Sequence, residues 1–118
     1  MEKGNLAEQF ERISDFWAPV AAGEVNGTQI RLVRLKGEFI WHHHEHEDEM
    51  FLVIAGRLRI QFRDREVTLE PGEFLIVPRG VEHRPVAEQE VRVMLIEPAS
   101  TLNTGNVRNE RTREPSPI

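Results

Sequence analysis

The chain has 118 residues, a formal net charge of −5 and no cysteine. A length of this order bounds it to one domain, large enough to bury a core without disulfides, and thiolate chemistry is excluded. Acidic and basic residues are interspersed, so no positive face for nucleic acid is expected. No apolar run approaches the roughly 20 residues a membrane helix needs, and the start Met1-Glu2-Lys3-Gly4-Asn5 has no signal-peptide core, so a soluble cytoplasmic protein is expected.

In chain order, Asn5 to Phe16 reads as a short helix. Asn5 can cap it, Glu8 stands where a capping box places an acid, and Leu6, Phe10 and Ile13 recur at helical spacing as a packing stripe. Pro19 closes this segment. From Val20 the pattern changes to short strands with turn residues every eight to twelve positions, as in a sandwich or barrel. Val20 to Val25 leads into an Asn26-Gly27 hairpin turn, then Thr28 to Lys36, with a break at Gly37. Phe39 to His44 and Glu49 to Ala55 are the next strands expected. In Arg57 to Arg63, Leu58, Ile60 and Phe62 alternate with polar residues, an antiparallel strand with one wet face. Val67 and Leu69 alternate, Phe74 to Val77 is apolar on both faces, and His83–Val86 and Val91–Ile96 are read as the last two strands. Met50 to Ala55 is also apolar on both faces, so a cover is expected from the N-terminal helix or a second subunit. Residues 99–118 are polar, with little to bury, and are expected to be extended or partly disordered.

The chemistry concentrates in Trp41-His42-His43-His44-Glu45-His46-Glu47-Asp48-Glu49, which holds four of the five histidines. Neutral imidazole is the commonest side-chain metal ligand and carboxylate its usual companion. If Phe39 to His44 is strand, alternation turns His42 and His44 to one face and His43 to the other. Glu49 opens the next strand in phase with Phe51 and Val53, and Glu47 and Asp48 are its rivals. His83 follows the turn Pro78-Arg79-Gly80-Val81-Glu82. Three imidazoles and one carboxylate can thus converge on one ion, while His43 and His46 are assigned to the surface and to a solvated turn. Arg34, Arg59, Arg79 and Glu82 lie near these residues in sequence; Arg59 reads as part of an outer solvated face, and Arg79 and Glu82 as candidate substrate contacts. Trp41 and Phe39 are expected to pack.

Gly37, His42-x-His44, four residues, Glu49, six residues and Gly56 resemble the first cupin motif. Gly72, five residues, Pro78-x-Gly80, two residues and His83 resemble the second. The two cover residues 37 to 87. The gap from Gly37 to His42 is one residue shorter than usual, and Ala87 stands where the second motif often has Asn. The resemblance implies an all-β double-stranded β-helix, or jelly-roll barrel, spanning 19–98. A helical segment at 1–18 precedes it and a tail at 99–118 follows. It also implies one divalent transition metal ion (Fe, Mn, Ni, Cu or Zn) held by His42, His44, Glu49 and His83, a small-molecule substrate or ligand and a homodimer; the charge distribution and the lack of a long apolar run argue against a nucleic-acid or membrane partner. The spacing to Gly56 favours Glu49 over its rivals. The chain has no tyrosine, which sets aside cupin enzymes that use one as an acid. The expected function is a metal-dependent reaction on a small organic molecule, dioxygenase-like or sugar isomerase-like. The alternative is a non-catalytic binding or sensing barrel.

Overall fold

The computed structural model describes residues 1–117, so Ile118, the last residue of the expected tail, lies outside the described residues. The helix α1 covers only Leu6–Glu11, with the Asn5 side chain accepting from the Glu8 amide at 3.0 Å as the capping pattern requires. It is shorter than the apolar stripe suggested because the chain is drawn off the helix to run along a strand. Phe16 bridges Arg34 in parallel, and the Trp17 amide donates to Arg34 O at 2.9 Å.

The strands are β1 (Val20–Val25), β2 (Thr28–Glu38), β3 (Glu49–Ala55), β4 (Leu58–Gln61), β5 (Glu66–Leu69), β6 (Phe74–Val77), β7 (Arg84–Pro98) and β8 (Ser116–Pro117). The antiparallel pair β2–β7 is the spine. Along its other edge, β7 pairs with β4 through Arg84–Val86 and with β3 through Arg92–Ile96. The two strands read from His83–Val86 and Val91–Ile96 are therefore one continuous 15-residue strand. Its two halves pair with different neighbours, and this wraps the sheet around a core of Val33, Leu35, Phe51, Val53, Leu58, Ile60 and their neighbours. The result is the jelly-roll barrel expected from the motifs.

A second cluster of Phe10, Ile13 and Leu32 lies on the outer face, with Ile54 and Met94 packed against it. The helix thus covers one end of the apolar outer face of β3. Phe74 and Ile76 on β6 stay exposed. Among the described residues, no helix is long and apolar enough to cross a membrane.

The segment after β7 departs from expectation. Thr101 and Thr104 are buried, and β8 pairs in parallel with β1. The fastening is polar rather than apolar, which hydrophobic patterning does not reveal. Arg31, buried on β2, donates to Ala99 O at 3.0 Å and Thr101 O at 2.7 Å. Asn106 clasps the histidine loop from both sides: its amide donates to His43 O at 3.0 Å, and its Oδ1 accepts from the His43 amide at 2.8 Å.

Candidate metal centre

The segment Phe39 to His44 is not a strand. It contributes one isolated bridge, in which His42 and His83 exchange backbone hydrogen bonds at 3.1 and 2.9 Å. The alternation survives nonetheless, because that bridge and the Phe39 amide bonded to Pro85 O hold the chain extended. His42 and His44 are buried and His43 faces outward. Glu49, the first residue of β3, is 4% exposed, and His83 is fully buried.

One ligand atom from each of His42, His44, Glu49 and His83 can be chosen so that all lie within 4.8 Å of one another. Their ring hydrogens fix what those atoms offer. His42 Nδ1 lies 2.9 Å from Ile40 O, and His83 Nδ1 lies 2.9 Å from Val81 O. A carbonyl only accepts, so each Nδ1 carries the hydrogen and each Nε2 of a neutral ring presents a lone pair. His83 Nε2 then stands 3.3 Å from Glu49 Oε1, acceptor against acceptor. His44 Nε2 is also 3.3 Å from Glu49 Oε1 but outside hydrogen-bond geometry, and both His44 ring nitrogens are buried without a hydrogen-bond partner. Buried acceptors facing one another are costly unless a cation or proton lies between them. The four residues therefore fit a metal ion, and soft-to-borderline nitrogen with one carboxylate suits a first-row divalent metal.

Burial pushes His42 down to about 4, with the neighbouring His83 charge acting in the same direction. Burial works to raise Glu49; hydrogen bonds and charge from His44 and His83 act the other way, so its carboxyl falls well below its ordinary value only where those rings turn a hydrogen toward it. The lowered His42 stays in the neutral form that binds metal.

The rivals of Glu49 are engaged elsewhere. Glu47 accepts from Ser100 Oγ at 2.9 Å, and Asp48 is exposed and pairs with Arg79. Of the candidate substrate contacts, Arg79 is thus paired at the surface, and Glu82 accepts from Arg63 at 2.6 Å. Arg34 pairs with Glu90 at 2.7 Å and Arg59 with Glu66 at 3.2 Å, both away from the cavity. Trp41 packs beneath the Arg63 guanidinium, 3.8 Å from its ring centroid. His46 is exposed.

Beside the donors lies a narrow pocket that opens to solvent. His42 and Glu49 form part of its wall. Val33, Leu35, Phe51 and Leu95 give it an apolar lining, and Trp17 stacks on Phe39 at 4.7 Å near the mouth. Two charged residues on this wall were not singled out from the sequence: Arg31 and Glu97, 3.1 Å apart and each about 1% exposed at the side chain. Burial pushes Glu97 well above the ordinary carboxyl value, the nearby Glu49 adds to this, and Arg31 opposes it. The signal was available in the strand phase, since Arg31 alternates with Val33 and Leu35, and Glu97 with Val91, Val93 and Leu95. Trp17 carried no such signal, because its place depends on the chain leaving the helix.

Comparison with known proteins agrees with this geometry. The family described as "Cupin domain" matches residues 31–97. A cupin-2 domain protein of Shewanella frigidimarina is 44% identical, with a TM-score of 0.79 over 80% of this chain and 92% of that one. Protein NMB1881 of Neisseria meningitidis is 33% identical, with a TM-score of 0.76 over 82% of this chain and 99% of that one. Protein YdbB of Bacillus subtilis is 37% identical over 81 residues, 68% of this chain and 72% of its own. The fold, both motifs and the matched segment make this chain a member of the cupin family.

Proposed function

We propose that the protein is a metal-dependent cupin enzyme acting on a small organic molecule held in the barrel, by dioxygenase-like or sugar isomerase-like chemistry. The observation that carries this reading is the meeting of four buried, mutually facing donors with a cavity whose wall includes two of them. His42, His44, Glu49 and His83 would hold the ion. When bound, a divalent metal supplies Lewis-acid activation of an oxygen or lowers the pKa of bound water. The chain's own contribution is to exclude water with Phe51, Leu95 and the Trp17–Phe39 stack and to fix the imidazoles through Ile40 O and Val81 O.

The test is elemental analysis of untagged protein purified without metal columns, beside a His42→Ala/His83→Ala variant. One equivalent of metal in the wild type, lost in the folded variant, is expected. Substrate-dependent oxygen uptake then separates the dioxygenase-like branch from the isomerase-like one. A folded wild type that takes up no metal on reconstitution would refute the reading and leave a binding barrel.

The same reading includes a homodimer. Phe74 and Ile76 are 59% and 53% exposed on β6, which pairs only with β3 among the described residues, and an apolar patch of this kind is typical of a subunit contact. A Phe74→Lys/Ile76→Lys variant is expected to elute as a monomer. An unchanged elution volume would place any dimer contact elsewhere.

A further inference from the structure

We propose that the pocket takes a small neutral molecule that presents a hydroxyl, and that Glu97 is the residue that selects it. This rests on the reading of the pocket as a substrate site. Alternation along β7 turns Glu97 inward with Val91, Val93 and Leu95. Met50 on β3 pairs with Ile96, so Glu49 and Glu97 stand one residue further along neighbouring strands, and both line the pocket. Arg31 holds Glu97 by one oxygen, Oε2, at 3.1 Å. The other oxygen, Oε1, is buried and receives no hydrogen bond among the described residues.

The other polar side chains of the wall are engaged. Trp17 Nε1 donates to Lys36 O at 2.8 Å. The Asn103 side chain donates to Arg111 O and accepts from the Arg113 amide, both at 2.8 Å. Arg31 donates to Gln29, Ala99 O and Thr101 O besides Glu97. His42 Nδ1 is bonded to Ile40 O, and its Nε2 and the Glu49 carboxylate face the proposed ion. Among the described residues, Glu97 Oε1 is thus the side-chain atom of this wall left for a ligand. A buried acceptor without a donor is costly, which fits a site completed by what binds there. A carboxylate or ketone would set a further acceptor against Oε1. An ammonium would add charge beside a divalent ion, while Arg31 already neutralises Glu97. A hydroxyl donates without bringing charge. Size sets the scale of the ligand. The pocket volume of about 40 Å³ has room for about three waters, so it takes a short-chain alcohol or polyol, or the hydroxylated end of a longer molecule, and not a ring. Val33, Leu35 and Phe51 pack against its carbon atoms.

The experiment is a saturation-transfer NMR titration of wild type, Glu97→Gln and Glu97→Asp, each metal-free and metal-loaded. The probes are ethylene glycol and glycerol, beside acetone, which is of similar size and donates no hydrogen bond. Metal content and melting temperature are measured for every sample. The wild type is expected to bind the hydroxyl probes about tenfold more tightly than acetone, the scale of one hydrogen bond to a charged group. In Glu97→Gln the side-chain oxygen can keep the Arg31 bond, which puts an amide nitrogen in place of Oε1. That nitrogen donates to acetone as well as to a hydroxyl. The preference is therefore expected to collapse through a gain by acetone, in a folded protein with unchanged metal content, and to be partly retained in Glu97→Asp. The same preference in Glu97→Gln as in wild type overturns the assignment and leaves Oε1 to a proton shared with Glu49. Acetone bound as tightly as the hydroxyl probes by wild type overturns the hydroxyl class but leaves the pocket as a substrate site. A wild type that takes up no metal yet shows the preference supports the role of Glu97 and refutes only the metal reading. If no probe receives saturation from the fully loaded wild type, the pocket holds water alone and both readings fall.

Discussion

Gly105→Ala is expected to lift the C-terminal segment off the metal-ligand loop. Gly105 adopts φ +57, and a Cβ placed on it lies 2.2 Å from His43 O, 2.9 Å from the His43 carbonyl carbon and 3.1 Å from His42 Cδ2. Two of these atoms are backbone and the third belongs to a buried ring, so no rotamer change relieves the clash. The left-handed backbone alone costs a non-glycine residue about 1–2 kcal/mol. Relief requires the segment to move, and then Asn106 loses its two hydrogen bonds to His43, at about 1 kcal/mol each. The expected loss of stability is therefore about 3–4 kcal/mol. Gly27→Ala is the control. Gly27 is also left-handed, at φ +80, but a Cβ there meets nothing within 4 Å, so its loss should stay at the backbone cost. Urea unfolding of the metal-free proteins measures the difference, and a metal titration of each variant reads the consequence for the site. Gly105→Ala should bind metal more weakly, because the loop carrying His42 and His44 loses its outer clasp, whereas Gly27→Ala should not. If Gly105→Ala costs no more than Gly27→Ala and binds metal as tightly as wild type, the segment does not seat on the loop as described.

Three other outcomes are expected. Burial lowers His42 from 6.5 to about 4, so the unfolded chain takes a proton before the folded one does; metal-free stability falls as pH drops from about 6.5 to about 4 and levels off below, by about 3 kcal/mol in all. Urea midpoints at pH 7, 5.5 and 4 should therefore fall more steeply for wild type than for His42→Gln; equal slopes would contradict the burial argument. It follows that His42 resists protonation to lower pH than an ordinary imidazole, and its share of metal release upon acidification falls below pH 6. Glu49→Gln should bind metal at least tenfold more weakly, yet melt no lower than wild type when metal-free, because the amide can donate to His83 Nε2 where the carboxylate opposed it; a large fall in the metal-free melting temperature would argue that the imidazoles are protonated in place. Phe10→Ala, at a fully buried position between α1 and β2, should cost about 3–5 kcal/mol in urea unfolding and leave metal content unchanged; a loss under 1 kcal/mol would mean that α1 is not packed on the barrel.

The convergence of His42, His44, Glu49 and His83 was legible in the sequence because two local rules sufficed. Alternation placed His42 and His44 on one side and Glu49 in phase with Phe51 and Val53, and turn spacing brought in His83. Alternation held even where the strand itself did not, since the His42–His83 bridge keeps the backbone extended. The same rule applied to Arg31 and Glu97 would have found the buried pair on the cavity wall. The barrel class followed from strand length, turn residues and motif spacing, all short-range features. Three things belonged to the tertiary structure alone. The helix stops at Glu11 because Phe16 and Trp17 find partners on β2, a competition that helical periodicity does not register. The halves of β7 join into one strand because β2 pairs along its length while β4 and β3 share its other edge, and pairing partners are not written in a strand's own residues. The C-terminal segment looks unable to bury itself because its fastenings are hydrogen bonds to Arg31 and to the His43 backbone, not apolar contacts. Hydrophobic pattern reports what a segment can bury by itself. Where a polar segment docks depends on donors and acceptors that only the folded barrel brings within reach.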